Sequence, residues 1–214
     1  MKGLLIKDIR LMKIQAKFFV MIIFISLVIS TMNADPTFAI GFMGFVGSMF
    51  TMSTISYDEF DNGHAFLFTL PISRNSYVIE KYCFGLLLGF ASWLVGTALS
   101  LVSIVVIGRG DVKGALLAAL LILPMIILLF SFMAPFQIKY GGEKGRLVMI
   151  GAVGIIMIIS FIATKLIDQQ ALIQLLNALL ENMYLTIAVL IVVTLLVFGV
   201  SLMSSLVIMN KKQF

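Results

Sequence analysis

Apolar residues along this chain fall into six runs that contain no charged residue: 18–32, 38–56, 82–107, 115–134, 147–164 and 183–209. A hydrocarbon core about 30 Å thick takes roughly 20 helical residues to cross. Backbone exposed to lipid must satisfy its own hydrogen bonds, which leaves helices or a closed barrel. Barrel strands would be shorter and would alternate polar with apolar. The pattern therefore predicts an all-α integral membrane protein with six transmembrane helices. The first run is short for a span and borrows from its flanks, with Lys17 snorkelling to the interface and Thr31 to Asn33 reaching the far headgroups. Pro124 interrupts the fourth run and predicts a bend there. Ahead of the first run, Lys7, Arg10, Lys13 and Lys17 recur at helical spacing opposite Leu4, Leu5, Ile9, Met12 and Phe19. That predicts an amphipathic helix over residues 1–17, lying on the membrane surface rather than forming a cleaved leader.

Composition sharpens the class. Of 214 residues, 61% are hydrophobic and 12% charged, against about 25% charged in soluble domains. A water-soluble enzyme, a disordered chain and a disulfide scaffold are excluded. The single Cys83 allows no intrachain disulfide, and a reduced thiol is expected at the cytoplasmic end of the third span. The charge count then sets the orientation. Residues 1–17, 57–81, 135–146 and 210–214 hold twelve of the fifteen basic residues. By the positive-inside rule those segments, and both termini, are cytoplasmic. The net charge of +5 reads as membrane topology and not as a nucleic-acid surface, being spread over four loops.

Two of these segments differ from ordinary connectors. In the first, 57–81, the acids Asp58, Glu59 and Asp61 cluster at the head of a stretch with apolar Phe60, Leu67, Phe68 and Leu70. A short helix along the membrane or against a partner is predicted, ended by Pro71. Ser73 then caps a helix whose first turn is Arg74 to Tyr77. The acids equally suit a solvated loop. They lack the spacing of a calcium loop, and His64, the sole histidine, has no second imidazole for a metal site or relay. In the second, 135–146, the glycines of Gly141-Gly142 and Gly145 invite comparison with a phosphate-binding loop. The GxxxxGKS/T spacing is missing, as are the framing strand and soluble helix, so no nucleotide chemistry is expected in this chain.

The order Tyr57-Asp58-Glu59, Leu70-Pro71-Ile72-Ser73-Arg74, Tyr77-Val78 and Glu80-Lys81-Tyr82 resembles the signature loop of small bacterial permeases of the type-two ABC exporter class. Pro135-Phe136-Gln137-Ile138-Lys139-Tyr140-Gly141, then Glu143-Lys144-Gly145-Arg146, is similar to that family's second cytoplasmic signature. The resemblance spans the whole chain. It implies an amino-terminal elbow helix, six spans, and a coupling helix between spans two and three that docks on a separate cytoplasmic ATPase. The ATPase would hold ATP and Mg, with no cofactor or metal in this chain. The expected contact residues are Tyr57, Asp58, Glu59, Phe60, Asp61, His64, Phe66, Arg74, Lys139, Glu143, Lys144 and Arg146, the acids pairing with basic groups and the phenylalanines filling a pocket. Residues 165–182 place Leu172, Leu175, Leu176, Leu179 and Leu180 on one face, as a surface helix or an external helix near the exit of a pathway.

Inside the runs there is no ionisable acid, base or histidine, which disfavours an ion-driven carrier, an intramembrane metal site and a catalytic dyad. Small residues recur instead at Gly41, Gly44, Gly47, Gly85, Gly89, Ser92, Gly96, Ser100, Gly151 and Gly154, a pattern for close helix packing. Met43, Met49, Met52, Met149 and Met157 suit either core filling or the lining of an apolar pathway. The expected function is the permease subunit of an ATP-driven exporter in the bacterial cytoplasmic membrane. It would work as a dimer with an identical or sister permease, surrounded by lipid, and move an apolar or amphipathic peptide, lipid-like molecule or drug. A non-transporting assembly or sensor protein is the alternative, and an intramembrane enzyme a weaker one.

Overall fold

In the computed structural model, residues 2–32, 37–60, 63–108, 110–166 and 182–212 are described. They form α1 (Lys2–Ile14), α2 (Ala16–Met32), α3 (Phe38–Glu59), α4 (Gly63–Leu67), α5 (Arg74–Ile107), α6 (Val112–Tyr140), α7 (Gly142–Leu166) and α8 (Met183–Lys211). Every apolar run lies inside a helix. Four helices, α3, α5, α6 and α8, are long and apolar enough to cross a membrane, or five spans if α1 and α2, which meet at 63°, count as one. The leucine-rich face expected over 165–182 lies mostly outside the described residues.

The helices outrun the runs that predicted them. α3 continues to Glu59, α5 runs unbroken from Arg74, the start its cap predicts, through the third run, and α6 passes Pro124 and Pro135 to Tyr140. The second connector, 135–146, is therefore not a loop but two helices broken at Gly141. Gly141 has φ 76° and ψ −162°, a conformation essentially reserved for glycine, and the Glu59 carboxylate occupies the space a Cβ would need. Ser73 caps α5 as expected, its hydroxyl accepting from Ser76 N. At the other end Gly108, at φ 70°, closes α5, and the Asp111 side chain caps α6 by accepting from Lys113 N and Gly114 N.

α5 is the spine. Its longest seam is with α3, and α6, α8 and α2 pack around the pair. The seam is close because glycine makes it so. A Cβ on Gly96 would stand 2.9 Å from Ala39 O and 3.0 Å from Ile40 Cα, while Gly47 gives way to Ser92 and Gly85 to the Phe130 ring. Gly151 and Gly154 of α7 meet nothing within 4 Å. The packing meaning of small residues thus holds at Gly44, Gly47, Gly85 and Gly96 and not at Gly41 or along α7, which leaves Leu147, Ile150, Met157 and Phe161 exposed. Below the seam, Tyr82 bonds Ser201 and Ser205 of α8 at 2.6 and 2.8 Å and sits edge-on to Phe130.

Candidate functional site

Carried past the ends of the apolar runs, the helices bring their polar flanks together at one end of the bundle. Lys81, one residue before the third run, is completely buried, and its ammonium uses all three protons. It donates to Asp8 of α1 at 2.5 Å and to Thr54 of α3 at 3.0 Å, and lies 2.8 Å from Asp58. Lys7 bridges the same two acids, bonding Asp58 and lying 3.3 Å from Asp8. A charge taken out of water must be matched at close range, and here two cations meet two carboxylates across three helices. Glu80 is buried beside them, 4.0 Å from Lys81.

A second chain of polar contacts runs from the short α4 into this cluster. Tyr77 donates to Asp58 at 3.2 Å, and His64 Nε2 lies 3.2 Å from the same Tyr77 oxygen. A tyrosine has one proton to give, so His64 must be the donor to Tyr77, which fixes the Nε2–H tautomer. His64 is itself buried. Desolvation, helped by the charge of Lys212, lowers its pKa to about 4, so the ring is neutral at physiological pH.

The far side is closed by the segment after α8. Lys212 donates to Glu59 at 2.9 Å and to Ile138 O at 3.1 Å, and Glu59 in turn accepts from Gly142 N at 2.9 Å. Arg74 donates to Asn210 O at 2.8 Å and Met209 O at 3.4 Å, placing its charge against the carbonyl end of α8, where Met209 O also accepts from Lys212 N. Asn210 also bonds Asn75 at 2.9 Å, and Gln137 reaches Ser56 at 2.7 Å. The ends of α1, α3, α5, α6 and α8 are thereby tied into one unit.

The expected contact residues divide accordingly. Asp58 and His64 point inward, because pairing with Lys7, Lys81 and Tyr77 leaves them nothing to offer outside; Glu59 and Arg74 are committed to Lys212 and to the end of α8. Tyr57, Phe60 and Phe66 face outward at 53%, 73% and 72% exposure, with Leu70 beside them at 45%. Lys139 is exposed over the Tyr140 ring and Lys144 is exposed at the start of α7. Asp61 and the side chains of Glu143, Arg146 and Met149 lie outside the described residues. Among the methionines, Met43 and Met52 are core residues, Met49 packs on that core and Met157 is exposed. An apolar cleft of about 300 Å³ does open between α3, α5 and α6, lined by Ser48, Gly85, Gly89, Phe90, Ile126 and Phe130, with no methionine.

Asp8, Lys81 and Lys212 are the residues that sequence reasoning did not single out. The available signal was a lone acid among the basic residues of α1. Among the described residues no group of three His, Cys, Asp or Glu could hold a metal ion.

The chain belongs to the ABC-2 family transporter proteins, whose family model matches residues 3–210. It is thus a multi-pass membrane permease component of an ABC transporter, and membership implies a partner ABC ATPase subunit. No curated protein and no solved structure matches the chain significantly.

Proposed function

We propose that this chain is the permease subunit of an ATP-driven exporter, with α2, α3, α5, α6, α7 and α8 crossing the bacterial cytoplasmic membrane and the charged end facing the cytoplasm. The distribution of twelve of fifteen basic residues at that end supports the orientation. The observation that carries the reading is the outward set Tyr57, Phe60, Phe66 and Leu70, mounted on a buried ionic frame. Exposed aromatics on a rigid support are the groups from which interface hot spots are made. They form the handle by which an ATPase subunit moves α3 and α5, the two helices that the handle joins. Closure of two ATPases then draws two permeases together and switches access to a route between them. Apolar runs without ionisable groups, the exposed face of α7 and the apolar cleft between α3, α5 and α6 favour an apolar or amphipathic cargo.

The test is to purify the protein with its candidate ATPase and compare wild type with the Phe60→Ala, Phe66→Ala double variant. The variant should stay folded and lose the ATPase, since truncating a hot-spot aromatic costs about 2 kcal/mol or more. Wild type that holds no ATPase where a known permease complex survives purification would overturn the reading.

A further inference from the structure

We infer that the outer face of α1 is a binding surface for anionic phospholipid headgroups, wired by Asp8 and Lys7 to the end of the bundle that carries the aromatic handle. The inference rests on the cytoplasmic placement of that end, proposed above.

The buried edge of α1 is Leu4 and Asp8, held against α5 by the Asp8–Lys81 pair. The opposite edge is not the clean polar stripe that the spacing predicts. Ile6, Ile9 and Ile14 are exposed at 53%, 41% and 82%, and they share their side of the helix with Lys2, Arg10 and Lys13. Lys7, expected on the polar stripe, turns inward to Asp58 instead. A groove of about 350 Å³ follows this side, walled by Ile6, Arg10, Leu11 and Ile14, with Gly3 leaving its floor open.

A face that mixes isoleucine with long basic side chains suits neither bulk water nor hydrocarbon. It suits the headgroup layer, where the isoleucines sink toward the acyl chains and the basic heads reach back to phosphate. Charge complementarity makes the surface selective. The acid in α1 is buried on the other side, and Arg10, Lys13 and Lys17 make no ion pair among the described residues. The 63° bend between α1 and α2 turns the axis of α1 away from that of the span it precedes, toward the membrane plane.

The wiring follows from the contacts. α1 cannot lift or rotate without disturbing Lys81 and Asp58, and Asp58 sits two residues before Phe60 of the handle. Headgroup binding therefore stabilises the frame on which the ATPase contact is mounted.

The test uses the full-length purified protein incubated with vesicles or mixed micelles of phosphatidylglycerol or phosphatidylcholine, scoring lipid retained through a second purification. Wild type should prefer phosphatidylglycerol, and the preference should shrink as salt rises. An Arg10→Gln, Lys13→Gln variant should lower it on the order of thirtyfold, at about 1 kcal/mol per basic residue. The charge-keeping Arg10→Lys, Lys13→Arg variant should restore it, and Lys113→Gln, which removes a charge at the other end of the bundle, should leave it unchanged. Equal retention of the two lipids, or a glutamine variant that keeps the preference, overturns the inference. Lipid retention needs no ATPase, so the result stands apart from the test of the exporter reading. A glutamine variant that loses the ATPase while keeping its lipid would make α1 a protein contact instead.

Discussion

The α3–α5 seam and the charged end beneath it are equally buried and are held together in opposite ways. In the seam nothing is charged, and cohesion comes from backbones brought close at Gly47 and Gly96. At the charged end the same two helices are joined by side chains instead, with Lys81 of α5 reaching Asp58 and Thr54 of α3 and Asp8 of α1. Shape holds a fit that degrades gradually as atoms are added. Charge holds one that survives with all members or fails when one is removed. Under the proposed function the second kind lies where the ATPase would pull, and an ionic frame transmits a displacement without being able to repack around it.

The largest effect should come from breaking the ionic set. Lys81→Met leaves Asp8 and Asp58 buried with Lys7 alone, and stranding a buried charge costs about 3–5 kcal/mol. We expect the variant to lose α1 docking, seen as a large fall in thermal unfolding temperature in detergent and rapid proteolysis within residues 2–14. Adding Asp8→Asn to Lys81→Met should recover part of the loss, because an apolar or neutral replacement of both partners is far cheaper than removal of one. A double variant no better than the single would show that the pair is not the linchpin described.

Gly96→Leu attacks the seam by the other route. Even a Cβ there meets Ala39 O at 2.9 Å, a backbone atom that cannot swing aside. Overpacking of this kind costs about 1–3 kcal/mol, occasionally more. The comparison predicts that no single charge change at the other end restores it, whereas Ala39→Gly, opposite, should not help either, since the obstacle is backbone. Gly154→Leu is the control: with open space around it, it should leave unfolding temperature nearly unchanged. If Gly154→Leu proves as damaging as Gly96→Leu, the exposed side of α7 is covered in the working assembly, which would locate the second permease.

Gly141→Ala tests the joint between the two regimes. The substitution places a side chain at φ 76° and pushes on the carboxylate of Glu59. Strain of this type costs about 1–3 kcal/mol. Because Glu59 also receives Lys212 and Gly142 N, displacement should appear as loosening of the segment after α8, measurable as faster amide exchange near residue 212. Unchanged exchange there would mean that Glu59 does not carry that connection.

What could be read from the sequence, and what could not, follows the same division. Helices over every apolar run, the Ser73 cap and a short helix in the first connector were all legible, because each depends on residues a few positions apart. Helix ends were misjudged at Glu59 and Tyr140, since charged residues end an apolar run without ending a helix. The ionic set was illegible for a related reason. Asp8 and Lys81 lie 73 residues apart, and a charge that will be buried in a pair looks, in sequence, like one bound for water. The aromatics Tyr57, Phe60 and Phe66 were singled out as contact residues in an acidic stretch, yet of its acids Asp58 turns inward to Lys81 and Glu59 is taken up by Lys212. The exposure of the three rings supports the proposed contact for a reason the sequence did not contain.

The smallest effect is invisible at neutral pH and separates the polar arm of α4 from the ionic set it joins. His64 is held neutral, its pKa lowered from 6.5 to about 4 chiefly by desolvation and then by Lys212. The unfolded chain takes up a proton near pH 6.5 while the folded chain resists, so the unfolded state binds more protons between those values. The stability contributed by neutral His64 is thus fully present above pH 6.5 and declines as the pH falls through that window. Measured from pH 7 down to about 5, unfolding temperature should fall for wild type relative to a variant without the imidazole, a difference that cancels the response of the buried Glu80 present in both. His64→Gln keeps a donor for Tyr77 and cannot titrate, so its unfolding temperature should lie increasingly above that of wild type, relative to pH 7, as the pH falls, while the contribution of the buried Glu80 is common to both. A glutamine variant with the wild-type slope would assign the pH response to the ionic set itself. In that case α4 would be a passenger on the frame rather than part of what holds Asp58 in place.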